Sequence, residues 1–141
     1  MLIALPLLVI PVIIYAVVIL SGVVGTGGVA AAEQALRDPI FSVPMVSGSG
    51  WNIGSGDLIL FLSLLLLFFE LLKSTSSQKV AIVNHALSMI LFVACLVAFL
   101  LIKGFATSTF FLILTMVMLD VLAGFIVTII SARKDLDFGA G

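Results

Sequence analysis

The sequence predicts an all-α membrane protein of four transmembrane helices, with a short extramembrane helix and a possible β-hairpin between the first two. Three observations carry that expectation. The 141 residues are 63% hydrophobic. Asp, Glu, Lys and Arg make up only 9%, against about one-quarter in soluble domains, too few to cover the surface a chain of this size leaves in water. The apolar residues also fall into long runs, and a spanning helix needs about 20 of them to cross the hydrocarbon layer.

Taken in order, the runs make residues 1–141 a single transmembrane domain. The first, 2–24, has no charged side chain. No Lys or Arg precedes it, and it exceeds the apolar core of about 7–15 residues found in secretory signals. It therefore reads as a retained helix, bent near its start by Pro6 and Pro11, rather than as a leader cleaved near Ala30-Ala31-Ala32. The second run, 57–73, is short for a span unless it begins before Asp57. The third is 80–102. The fourth, 105–132, opens on FATSTFF (Phe105–Phe111), whose hydroxyls suit a helix cap and whose rings suit an interface, and stops before Arg133 and Lys134. The polar content of the spans differs too much for an inverted repeat.

Four spans place Lys73, Lys79, Arg133 and Lys134 on one side and Arg37 and Lys103 on the other. The excess of basic residues marks the cytoplasmic side, so both termini are expected there. Residues 25–56 then form the one sizeable segment outside. Within it Val29–Arg37 is helix-forming and Asp38-Pro39 ends the helix. The stretch IFSVPMVSGSGWNIGSGD that follows can turn a hairpin at Ser47-Gly48-Ser49-Gly50, with Pro44 confined to an edge. Trp51 is the expected interface anchor, its indole at headgroup level. The segment reads as a lid on the outer surface, with sensing or partner docking as the alternative.

Polar residues inside a span each need a partner or a purpose. Glu70, His85 and Asp120 are the ionisable ones, and Asp120 lies nearest the midplane, roughly 18 Å in by helical rise. Ser63 and Glu70 share a face of the second helix. Asn84, His85, Ser88 and Cys95 share one on the third. Asp120, Gly124 and Thr128 repeat every four residues on the fourth, with Gly124 the point of closest helix approach. Glu70 can pair with Lys73 one turn on, or with His85 at similar depth, and the latter pair is either a helix tie or a proton relay. Asp120 either takes a proton and donates to Ser63, Ser88 or a backbone carbonyl, or carries a proton or cation.

Other chemistry is not encoded. Cys95 is the single cysteine and reads as a small buried apolar residue; no second His or Cys stands at ligand spacing, so no metal and no cofactor is expected. Met89, Met116 and Met118 read as packing residues. Neither a nucleophile beside a base nor a phosphate loop is present, Gly25 to Gly28 included, so no catalytic residue is assigned and an enzyme is not expected. The basic residues are scattered at a net charge of −1, which gives nucleic acid no footprint.

The blocks GDLILFLSLLLLFFELLKSTSSQ, NHALSMILFV and FATSTFFLILTMVMLDVLAGFIVTIISARKD, with the SVPM-to-Trp51 segment before them, resemble a family of small uncharacterised inner-membrane proteins of alphaproteobacterial type. The resemblance covers about residues 40–135, rests most on ATSTFF and D-V-x-A-G-F, and implies four spans in a bacterial inner membrane but no activity. The expected role is a non-enzymatic structural or accessory subunit, in contact with the bilayer and with other membrane subunits or a second copy of itself. The first helix would be its apolar flank. The alternative is a small proton- or cation-coupled transporter that uses Asp120 with Glu70 and His85, working as a homodimer because four helices seldom enclose a whole pathway.

Overall fold

The computed structural model describes residues 5–21, 28–73 and 78–140. In chain order these form α1 (Val9–Leu20), α2 (Gly28–Arg37), an antiparallel hairpin of β1 (Pro39–Pro44) and β2 (Gly50–Gly54), α3 (Ser55–Lys73), α4 (Gln78–Leu101), a 3₁₀ turn (Lys103–Phe105) and α5 (Ser108–Gly139). Three helices, α3, α4 and α5, are long and apolar enough to cross a membrane.

The first expected span is shorter than its sequence suggests. At 12 residues α1 extends about 18 Å, little more than half a hydrocarbon layer. The prolines explain where it starts. Val9 donates its backbone N–H to Pro6 at 3.1 Å, and Pro11 falls in the first turn, where its missing N–H costs nothing. The ends of the expected run, residues 2–4 and 22–24, lie outside the described residues, as do Gly25 to Gly27 and the link 74–77.

The other boundaries shift for local reasons. Helix α3 starts at Ser55, before Asp57, because Asp57 Oδ2 accepts the Gly54 N–H at 2.9 Å and so carries β2 straight into the helix. The helix α5 starts at Ser108 rather than Phe105 because Thr107 is its cap, accepting the Phe110 N–H at 3.2 Å. It runs past Ala132 to Gly139, since Arg133 to Phe138 contains no helix breaker.

Helix α5 is the centre of the bundle. It packs on α3, which runs parallel to it, and on α4, which runs antiparallel. Helix α1 lies along α3 in the opposite sense: Leu7 meets Glu70 near one end, while Tyr15 meets Gly104 near the other. Near the hairpin end the core holds Tyr15, Ile19, Phe105, Phe110, Ile113 and Leu114, with Ala32 and Leu36 of α2 laid across it. Toward the Lys73 end Leu8, Leu67, Met116 and Val117 continue it.

Tyr15 shows that α1 is more than an apolar flank. Its side chain is fully buried, its rim packs on Phe105 and Phe110, and its hydroxyl donates to Gly104 O at 3.0 Å and bonds to Thr107 Oγ1. Tyr15→Phe keeps the rings but takes the tyrosine hydroxyl from Gly104 O and leaves Thr107 Oγ1 with the Phe110 N–H, so a loss of about 1 kcal/mol is expected, read as a lower unfolding midpoint in detergent.

Unlike a soluble bundle, this one is apolar outside as well as inside. The residues of α4 that are fully withdrawn are Asn84, Ser88 and Cys95, whereas Ile82, Val83, Ile90, Val93, Val97 and Leu100 lie exposed. The exterior of α3 is Leu58, Phe61, Leu64, Leu65, Phe68 and Phe69. Contiguous apolar surface on this scale suits lipid and is untenable in water.

Candidate functional site

The periodicity of α3, α4 and α5 turns their few polar residues inward. Buried Ile59, Ser63, Leu67 and Glu70 follow one stripe of α3, and Asn84 and Ser88 sit one turn apart on α4. Asp120, 4% exposed, closes the buried stripe of α5 about 18 Å along from Ser108.

Glu70 is wholly enclosed, and its carboxylate is a junction of three helices. Oε2 accepts the Leu7 backbone N–H at 2.8 Å and the Lys73 ammonium at 3.3 Å; Oε1 accepts from Asn84 Nδ2. Lys73 in turn donates to Leu5 O at 2.6 Å. Leu7 precedes α1, and Glu70 gives its N–H an acceptor that anchors the chain where the helix begins. Of the two partners expected for Glu70, the structure places Lys73 beside it, and Asn84 takes the position considered for His85.

Asp120 has a different setting. Ser88 Oγ donates to Asp120 Oδ2 at 2.7 Å. Around this pair Ala81, Asn84, His85, Gly124 and Val127 line a small pocket between α4 and α5. Its free space of about 10 Å³ for a water-sized sphere is the room of one water molecule. Two buried atoms of the lining, Asn84 Oδ1 and His85 Nδ1, have no hydrogen-bond partner among the described residues. An unpaired buried polar atom is costly, so two beside one carboxyl mark a place built to be wetted or to bind.

His85 reaches this position because of Gly124. A Cβ there would lie 2.6 Å from His85 Nδ1, so only glycine lets the imidazole rest against α5, where it also leans toward Phe125 at 6.5 Å between ring centres. The remaining expected residues lie apart. Ser63 spends its hydroxyl on Ile59 O at 2.7 Å and Thr128 on Gly124 O at 2.9 Å, both within their own helices. Trp51 stands in β2 opposite Val43, half-exposed.

The polar line is one-sided. From Lys73 it passes through Glu70, Asn84 and the pocket to Ser88 and Asp120. From Asp120 toward the hairpin the buried residues of α5 are Val117, Met116, Leu114, Ile113 and Phe110, and the buried polar residue of α3 there, Ser63, bonds within its own helix, until Tyr15 and Thr107 are reached. Sequence reasoning missed the Leu7 N–H and the Tyr15–Thr107 pair. A lone tyrosine in an apolar run was a usable signal; a backbone N–H carries none.

Among the described residues no three His, Cys, Asp or Glu side chains converge as a metal site would require. No family model, curated protein or solved structure matches the chain.

Proposed function

We propose that the protein is an integral membrane protein of four spans in which Asp120 binds and releases a proton. The observation that carries this reading is the pocket beside Asp120, with Ser88 on the carboxyl and the unpaired Asn84 Oδ1 and His85 Nδ1 across it. A proton needs one acceptor and a neighbour to pass it on. A bare cation needs several oxygens, and a hydrated one more room than a single water occupies. Carboxylates and histidines placed so within a bilayer are the usual material of proton relays.

Helix α1 is the fourth span in this reading, since Leu7 just before it is tied to Glu70 and Ile19 near its end lies against Gly104, close to opposite ends of the bundle. The side bearing Lys73, Lys79, Arg133 and Lys134 faces the cytoplasm, and protons reach Asp120 from there. The apolar core beyond Asp120 offers them no onward route in one chain, so a second copy or another subunit completes the path. That one-sidedness also supports a second reading, an accessory subunit of a larger inner-membrane assembly.

Purified protein in proteoliposomes with an internal pH dye tests this. Wild type is expected to collapse an imposed proton gradient at least about tenfold faster than Asp120→Asn, equivalent to about 1.4 kcal/mol of barrier. The infrared band of a protonated carboxyl, lost in Asp120→Asn and shifted in heavy water, should accompany it. Equal flux from both proteins with the band present selects the accessory-subunit reading. Equal flux with no exchangeable band removes the proton site altogether.

A further inference from the structure

The hairpin has two unlike faces. Cross-strand partners share a face, so Phe41 with Ile53 and Val43 with Trp51 form one, while Ser42 with Asn52 and Pro44 with Gly50 form the other. The first is apolar and the second small or polar. On the apolar face Ile53 is 7% exposed and Val43 partly buried, while Phe41 is 47% and Trp51 52% exposed, with Met45 and Val46 exposed at the turn. No Asp, Glu, Lys or Arg occurs between Asp38 and Asp57.

The hairpin is also held in place. Gly54 passes into Ser55 of α3 with no linker, and Met45 N–H to Ser49 O at 2.8 Å, with Gly48 at φ +84°, closes the turn. Ser55 Oγ bonds to Ala35 O at 3.3 Å, which joins this corner to α2. The apolar face is therefore presented at the start of α3, one of the helices long and apolar enough to span.

We propose that this face lies on the outer leaflet of the same bilayer, with Phe41, Val43, Met45 and Trp51 among the glycerol and upper acyl groups and Ser42 and Asn52 toward water. Several features select lipid over a protein partner. The strip is free of charge, so it carries no residue that would specify a charged protein surface. Its aromatic and aliphatic side chains match the interfacial layer, and the covered area ends where the span begins. Attachment then requires no anionic lipid and is insensitive to salt. The inference rests on the bundle spanning the bilayer and is independent of Asp120 and its proton.

Trp51 is the single tryptophan, so the full chain reports on its own hairpin. In nanodiscs of phosphatidylcholine, chains brominated close to the glycerol should quench most of its fluorescence. Aqueous acrylamide should quench it far less than it quenches N-acetyltryptophanamide, and added salt should change neither result. In the paired variant Trp51→Phe with Ser42→Trp, the reporter moves to the opposite face and both results should reverse. Acrylamide access at Trp51 without bromolipid quenching overturns the proposal. Protection of Trp51 from both quenchers also overturns it, because a second copy or another protein then covers the strip.

Discussion

Glu70→Ala is expected to be the most destabilising single substitution in the bundle, lowering unfolding free energy by about 2–4 kcal/mol, from three hydrogen bonds at about 1 kcal/mol each and the void left behind. The substitution leaves the Leu7 N–H, Asn84 Nδ2 and one arm of Lys73 without their acceptor and opens a void where the carboxylate stood. Asn84 is buried and Leu7 partly so, and solvent does not readily replace their bonds, whereas the part-exposed Lys73 keeps Leu5 O and access to water. Because the Leu7 contact is the tie at the start of α1, the first helix should detach before the rest unfolds. Denaturant titration in micelles, with protease sensitivity around residues 5–21 as a second readout, checks this. Glu70→Gln keeps an acceptor for Leu7 and should fall between. Asp120→Asn, which still accepts from Ser88, should leave the midpoint nearly unchanged while abolishing the proton signal. That contrast separates the carboxylate that holds the bundle from the one proposed to carry the proton; equal destabilisation by the two would merge them into one structural network.

Gly54→Ala should be the most damaging change outside the bundle. A Cβ at this position would stand 2.5 Å from Leu36 O and 3.2 Å from Arg37 C, and both are backbone atoms that no rotamer change moves aside. The end of α2 and the β2–α3 corner must separate, at a cost of about 1–3 kcal/mol, the usual range for overpacking. The separation should appear as a lowered midpoint together with a shift in Trp51 emission, since Trp51 sits three residues before the site in the same strand. An unchanged midpoint and spectrum would mean that α2 does not pack on the corner. Gly50 is the useful control: a Cβ there meets only Ser42 Oγ at 3.1 Å, a side-chain atom that can rotate.

Much of the fold was legible because its signals are local. The apolar runs announced α3, α4 and α5, Asp38-Pro39 ended α2, and the hairpin turns over residues 45–49, overlapping the expected Ser47-Gly48-Ser49-Gly50, whose Gly50 opens β2. The errors arose where a run of apolar residues carries no internal mark of where a helix begins. Composition alone extended the first span over 2–24, whereas prolines and a backbone contact to Glu70 set the start of α1 at Val9. Thr107 moved the start of α5 because its cap overrides the two apolar residues before it, Phe105 and Ala106.

The site divides along the same line. Helical spacing alone put Ser63 with Glu70, Asn84 with Ser88, and Asp120 with Gly124 on common faces, because a period of 3.6 residues is a property of one helix. Which face meets which depends on helix rotation and offset, and no single helix encodes those. Only the tertiary structure decided that Glu70 is consumed by Leu7, Lys73 and Asn84, that Ser63 and Thr128 bond within their own helices, and that Ser88, Asn84 and His85 gather around Asp120. Sequence by itself determined that this chain has the composition for lipid and carries a few polar groups inside it. Packing decided which of those groups were left with something to bind, because a hydrogen bond between helices exists only once their relative height and rotation are fixed.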